Sequence, residues 1–343
     1  MRYIIFGAGA VGSVYGGLLS HLGRNVILVG RSEHVARIQT HGLVVQQIRE
    51  TLQVPIVATD ILSSIIPHPD DVLFVCVKSP QTAESLIQLK AHFPPQIRVV
   101  SFQNGVDNEP QLSTHFTQVY GALVNVNANF ISPGVVRRTI LDQIYFGKYP
   151  TGTDELTATL AADAAALGFR TGEHPKIVNL KWGKLLANLN NATLSLQNLW
   201  LQKALSIPEN VTLMERVVRE GMRVLDAAGI DYTDDLGFFD IRVQVESMVR
   251  NHGSTAAVLV DTPEHERSYP STWQDLRLDR PVTEVEWLNG EIVRLGKQFG
   301  VPTPCNSVLR EGVLASVRDH SGPGKYTLIQ LLTAIEDEQR RSE

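Results

Sequence analysis

Cysteine is nearly absent from this chain: Cys76 and Cys305 are the only two in 343 residues. Neither belongs to a CxxC pair or to a Cys/His cluster, so neither a disulfide framework nor a metal site is expected. Runs of one charge are missing too. Net charge is −5, with 31 Lys and Arg against 36 Asp and Glu, and no basic stretch offers a seat for nucleic acid or an anionic membrane surface. No apolar stretch reaches the roughly 20 residues that a spanning helix needs. The apolar start Met1–Phe6 gives way to Gly7 before it attains the length of a signal-peptide core. Internal repeats and low-complexity tracts are also lacking. These absences leave a cytoplasmic globular enzyme as the expectation, with no nucleic-acid and no membrane partner.

The length allows two domains with a core each. In the first half, Tyr3–Phe6, Val26–Val29, Val72–Val77 and Val99–Phe102 are short runs rich in β-branched and aromatic residues. Near-continuous apolar runs suit strands covered on both faces, and their alternation with helical stretches predicts βαβ units. Cys76, inside one such run, reads as a small buried hydrophobe. Residues 118–125, 134–139 and 143–147 look like additional strands. Past about residue 155 helical periodicity takes over, predicting helices over 155–168, 176–203, 208–229, 239–252, 283–299, 305–319 and 325–338. The segment His252–Leu278 reads as a polar loop able to edge a cleft. The fold class is therefore α/β: an N-terminal Rossmann-type, doubly wound parallel sheet over residues 1–170, then a mostly helical domain over 171–343.

Gly7-Ala8-Gly9-Ala10-Val11-Gly12 is a G-x-G-x-x-G pattern placed between a predicted strand and a predicted helix, Val11–Leu22. That context makes it a dinucleotide-binding turn. The first glycine permits the turn, the second admits the pyrophosphate, and the third lets helix and strand pack closely. An NAD site usually carries an acidic residue at the end of the second strand. Here Gly30-Arg31-Ser32 stands there, and a guanidinium suits a 2′-phosphate, so NADP(H) is the expected cofactor unless Arg31 is merely solvated. Lys78 and Asn104 follow the third and fourth predicted strands, where ligands of open sheets bind, although simple loop polarity would also explain them.

Downstream, Lys181, Lys184, Asn188, Asn191 and Ser195 fall within an arc of about 80° on a helix that is otherwise apolar on several sides. Such a seam either faces solvent or lines a cleft. Thr283 and Glu286 have capping-box spacing, which puts Glu284 at the first helical position, where an acid is explained by the helix dipole alone.

Taken in order, the glycine motif, Arg31, Val77-Lys78, Gln103-Asn104-Gly105, Lys184-x-x-x-Asn188, Ser271-x-x-Gln274-Asp275 and Thr283-Glu284-Val285-Glu286-Trp287-Leu288-Asn289-Gly290 resemble the ketopantoate reductase (2-dehydropantoate 2-reductase) family over nearly the whole chain. The resemblance implies NADPH-dependent reduction of a branched 2-oxo acid, a small-molecule partner, to a 2-hydroxy acid in pantothenate biosynthesis. It implies Lys184 as general acid, with Glu284 orienting the lysine and the substrate. It also places Asn104 beside cofactor and substrate, Asn188, Asn191 and Ser271 on the substrate, and Gly7 to Gly12, Arg31 and Lys78 on the cofactor. The chain departs from the family where a second helix asparagine is usual: Ala192 stands there, Asn191 comes one residue earlier, and Thr193 replaces a proline. The Asp279–Thr283 segment is also one residue longer than the common spacing. A reductase of another 2-oxo acid and a non-catalytic NADP(H) sensor are the alternative readings. The apolar C-terminal helices leave room for a homodimer as well as a monomer.

Overall fold

A computed structural model describes residues 1–138, 143–250, 267 and 269–342. The chain divides into two compact units, Met1–Lys181 and Trp182–Glu343. Among the described residues no helix is long and apolar enough to cross a membrane.

The first unit contains strands β1 (Arg2–Phe6), β2 (Asn25–Val29), β3 (Leu43–Gln46), β4 (Thr51–Val54), β5 (Val57–Thr59), β6 (Asp71–Val75), β7 (Arg98–Ser101), β8 (Gln118–Asn125), β9 (Ala128–Ser132), β10 (Val135–Arg138), β11 (Gln143–Lys148) and β12 (Arg170–Glu173). Its helices are α1 (Ala10–His21), α2 (Ser32–His41), α3 (Thr82–His92), α4 (Asn108–Ser113) and α5 (Glu155–Ala166). Eight strands form one sheet in the order β12-β11-β8-β7-β6-β1-β2-β5, parallel except where β11 runs antiparallel to β8. Strand order reverses between β1 and β6, the point at which open α/β sheets leave a crevice.

Period-two patterning explains why both faces are covered. Tyr3, Ile5, Val72, Phe74 and Val100 enter one core, while Ile4, Phe6, Leu73, Val75 and Val99 enter the other. Cys76, half-buried, packs against the first core. The aromatic centre of that core joins Phe74 to Tyr3, Tyr15 and Phe102 at centroid separations of 5.8, 5.6 and 5.5 Å.

A second sheet, β4-β3-β10-β9, was not anticipated. Its strands have four or five residues, too few for periodicity to separate them from loop. β10 lies in this smaller sheet rather than the large one, and Thr139, the last residue of its predicted run, lies outside the described residues.

The second unit is helical in every described element. α6 (Ile177–Asn188) begins in the first unit and is followed by α7 (Asn190–Leu196), α8 (Leu201–Leu205), α9 (Pro208–Ala228), α10 (Ile241–Arg250), α11 (Ser271–Arg277), α12 (Asn289–Phe299), α13 (Pro304–Arg318) and α14 (Leu328–Ser342).

The single helix expected over 176–203 is therefore three. At the first break the Leu189 carbonyl accepts from Asn289 Nδ2 (3.1 Å), and Leu189 N–H is shared between the carbonyls of Leu185 and Leu186. α7 ends where Asn198 takes φ +55° and Leu199 N–H reaches back to Leu194 O (2.9 Å), a C-terminal stop that asparagine tolerates.

The helix expected over 283–299 opens instead as a 3₁₀ turn, Glu284–Trp287, interrupted at Leu288 before α12. The capping box is not made. Thr283 Oγ1 accepts from Val285 N–H, and the Glu286 carboxylate is drawn away by a two-point pair with Arg310 (2.8 and 2.9 Å). Of the predicted loop His252–Leu278, residues 252–266 and 268 lie outside the described residues, and Ser271–Arg277 is helix. Pro270, with φ −68°, sets the helix start there.

Phe74 is fully buried among three rings, so Phe74→Ala should cost about 3–5 kcal/mol of unfolding free energy in urea titration. A loss below about 1 kcal/mol would mean that this cluster is not a packed core.

Candidate active site

The glycine turn is built by exclusion. Gly7 has φ +104°, and a Cβ on it would lie 2.7 Å from Val77 N and 2.8 Å from Cys76 C, on the neighbouring strand's exit. A Cβ on Gly12 would sit 2.5 Å from Gly7 O. Gly9 differs: a Cβ there would meet nothing within 4 Å. Its freedom from protein contact leaves room for a ligand to approach the backbone.

The N–H groups of Gly7 and Ala8 both turn back to Val29 O (3.0 and 2.9 Å). α1 then starts with no side-chain cap and no acid in its first turn, so no carboxylate of that turn competes with an anion for its N-terminal donors. Ala8 is buried, Ala10 and Val11 are half-buried, and Arg31 is exposed where the chain leaves β2. A Cβ on Gly30 would lie 2.8 Å from Ala8 Cβ, which puts the residue before Arg31 against the turn. The donors at the start of α1 and the open side of Gly9 fit a dinucleotide diphosphate.

Lys78 and Asn104 are half-buried on the loops that leave β6 and β7. Beneath them lies a polar cluster that sequence patterning did not single out. Ser79 Oγ (2.8 Å) and Asn108 Nδ2 (2.7 Å) both donate to Asn104 O. Gln103 Nε2 donates to Val77 O (2.9 Å), the residue before Lys78. At the base of the cluster Lys181 pairs with Glu109, the two side chains 4% and 2% exposed. Contacts between residues 72 positions apart leave no local signature. Only the polarity of Gln103-Asn104-Gly105 hinted at the cluster.

Lys181 therefore does not belong to the polar seam expected on this helix. Ser195 leaves it too, buried with its hydroxyl donating to Asn191 O (2.6 Å). Lys184 and Asn188 on α6, and Asn191 on α7, are half-buried. Ala192, at the family's asparagine position, is 1% exposed and part of the core. Ser271 is half-buried at the first position of α11, which packs on α7, and just past α7 Asn198 Oδ1 accepts from Trp273 Nε1 (2.7 Å). Glu284 is buried in the 3₁₀ turn. Among the described residues no group of three His, Cys, Asp or Glu is arranged to hold a metal ion.

His34, also missed at the level of sequence, ties three segments of the first unit together. Gly134 N–H donates to its Nδ1 (2.9 Å), so the proton sits on Nε2 and faces Ser13 Oγ (3.1 Å), one residue past Gly12. The ring also meets Phe130 at 4.9 Å.

Residues 3–151 match the family model "Ketopantoate reductase PanE/ApbA", and residues 176–315 match "Ketopantoate reductase PanE/ApbA C terminal". The 2-dehydropantoate 2-reductase of Pyrococcus abyssi is 30% identical over 312 residues, 90% of this chain and 95% of that one. That of Halobacterium salinarum is 31% identical over 326 residues, 93% of this chain and 100% of that one. Among solved structures, a PanE/ApbA family ketopantoate reductase from Ralstonia eutropha JMP134 superposes with a TM-score of 0.79 at 28% identity, covering 94% of this chain and all 100% of that one. D-mandelate dehydrogenase with NADH and anilino(oxo)acetate shares the fold, with a TM-score of 0.78 at 22% identity over 94% of this chain and 100% of that one.

Burial, and then the charge of Arg31, hold the His34 imidazole below its ordinary value of 6.5. The unfolded chain therefore takes up a proton first as pH falls. Stability should be level above about pH 6.5 and decline below it, as the unfolded state gains the proton that the buried ring resists. Melting temperatures recorded between about pH 7.5 and 5 should show this decline, and His34→Gln should flatten it. An unchanged profile in the variant would assign the acid sensitivity elsewhere.

Proposed function

Since the chain belongs to the ketopantoate reductase family, and is thereby an oxidoreductase, we propose that it reduces 2-dehydropantoate to pantoate with NADPH, the step that supplies pantothenate biosynthesis. The observation that carries this reading is the glycine turn at the β1–β6 reversal. Gly9 is open, α1 is uncapped and free of acid, and Arg31 follows β2 where a cofactor with a plain ribose would favour a carboxylate. In this reading residues 1–170 hold the cofactor and residues 171–343 supply substrate binding and proton transfer.

When bound, the nicotinamide supplies a hydride to the carbonyl carbon of the 2-oxo acid. The oxygen then needs a proton and, before that, a positive neighbour. Lys184, as an ammonium, provides both, giving its proton to the oxygen so that the product is a neutral alcohol. Glu284 orients the lysine and the substrate hydroxyl. Asn104 lies beside cofactor and substrate, while Asn188, Asn191 and Ser271 hold the substrate. Arg31 pairs with the 2′-phosphate, Lys78 joins the cofactor side, and the backbone from Gly7 through Ala8, Gly9, Ala10 and Val11 to Gly12 cradles the diphosphate.

A second reading, a reductase of a different branched or bulkier 2-oxo acid, is favoured by Ala192, a buried methyl where the resemblance calls for an asparagine. Turnover of NADPH against a panel of 2-oxo acids decides between them. The first reading fails if 2-dehydropantoate is reduced no faster than generic members of the panel.

Lys184→Ala and Glu284→Ala should each lower kcat by about 10²–10⁴-fold while NADPH binding, followed by fluorescence titration, stays intact. Unchanged turnover in both would remove these residues from the chemistry. Arg31→Ala should weaken NADPH by about 10- to 100-fold, the loss of a charge-assisted pair, with NADH affinity unaltered. Equal loss for both cofactors would show that Arg31 does not read the 2′-phosphate.

A further inference from the structure

A lysine ammonium donates hydrogen bonds and accepts none, and that asymmetry propagates through the groups beneath the β6 and β7 loops. Lys181 Nζ donates to Glu109 and to Ser101 Oγ, the latter at 3.4 Å. With a donor on its oxygen, Ser101 turns its own hydrogen to Gln103 Oε1 (3.5 Å). The Gln103 amide is thereby oriented, its nitrogen donating to Val77 O (2.9 Å) and Thr82 Oγ1 (2.8 Å). Thr82, now an acceptor, donates to Asn108 Oδ1 (2.7 Å). That orients the second amide, whose nitrogen donates to Asn104 O (2.7 Å) and Ser79 Oγ (3.3 Å). Ser79 passes its remaining hydrogen to Asn104 O (2.8 Å). Every bond runs away from Lys181. Flipping Gln103 would set its amide oxygen against Val77 O, and flipping Asn108 would set its amide oxygen against Asn104 O, acceptor against acceptor in each case.

We infer that Lys181 is a positioning residue: its charge sets the direction of a buried hydrogen-bond chain that locks the carbonyls of Val77 and Asn104, and so aims Lys78 and Asn104 at the cofactor. The aim at the cofactor rests on the function proposed above; the direction of the chain does not. Two observations support it. Ser101, Gln103, Thr82 and Asn108 are all buried, so bulk water is not at hand to replace a lost partner. A buried ion pair is also a poor source of net stability compared with apolar side chains of similar volume, which directs attention to what this one orders.

The test separates order from stability. Ser101→Ala leaves the Lys181–Glu109 pair in place and cuts the chain at its first link. The double variant Lys181→Met with Glu109→Met removes the pair without leaving a lone buried charge. In both, backbone amide exchange over residues 77–79 and 103–108 of the free protein should accelerate by about tenfold or more, at a melting temperature close to wild type. kcat should fall by about tenfold with little change in KM for the 2-oxo acid, and Ser101→Thr, which keeps the hydroxyl, should restore both readouts. Unchanged exchange in Ser101→Ala overturns the chain. So does a double variant that melts early while Ser101→Ala is silent, because the pair is then purely structural. Fast exchange with wild-type kcat overturns the positioning role. If the wild-type protein itself oxidises no NADPH, the proposed function falls, and the exchange measurement still judges the chain.

Discussion

Between the ends of β1 and β6 there is no room for a single added carbon, since a Cβ on Gly7 would sit 2.7 Å from the Val77 nitrogen. Much else in the first unit depends on that close approach. It sets the exit of β6, and hence where Val77 and Lys78 begin their loop. It holds Gly7 in a positive-φ turn, so that the chain can reverse and start α1 directly above the strand. Gly12 repeats the constraint one turn later, against Gly7 itself. Gly7 and Gly12 are thus required by the protein's own packing. Gly9 is not, and its open side is the part of the motif that points to a ligand.

The loops that leave β6 and β7 are held by polar contacts in addition to the core packing of Val77 and Phe102. Hydrophobic packing is tolerant of small rotations because it has no direction. Hydrogen bonds with assigned donors and acceptors are not, and the residues under Asn104 use them in series. Burying Lys181 and Glu109 at the base carries a desolvation cost that a pair of aliphatic side chains would avoid. What the arrangement supplies in exchange is orientation at Val77 and Asn104, two carbonyls that could otherwise rotate with their loops.

Legibility in the sequence followed how local each cause was. The strands at 2–6, 25–29, 71–75 and 98–101 were readable because burial on both faces writes a continuous apolar run. The glycine motif was readable because its three positions lie within six residues. Helix limits failed where a distant residue intervened. Asn289 donates to the Leu189 carbonyl at the first break, and Arg310 takes the Glu286 carboxylate that spacing had given to Thr283. The candidate residues Arg31, Lys78, Asn104, Lys184 and Glu284 could be picked out one by one, from position or from resemblance. The contacts around them could not: Lys181 on Glu109 and Gly134 on His34 are meetings of remote segments. The small sheet escaped for a different reason, since strands of four or five residues carry too short a pattern to read.

The fixed peptide at Asn104 has a consequence for chemical ageing. An asparagine followed by glycine is the pair most prone to cyclise, the glycine nitrogen attacking the side-chain carbonyl and expelling ammonia, and Asn104-Gly105 is such a pair. The attack requires the intervening peptide to rotate. Here its oxygen is clamped by Ser79 and Asn108, and Gly105 is buried at φ +80°. The bonds that order the loop therefore also oppose that rotation. Loss of those bonds would free the peptide for the rotation that exchanges an amide for a carboxylate, at a residue proposed to lie beside the cofactor.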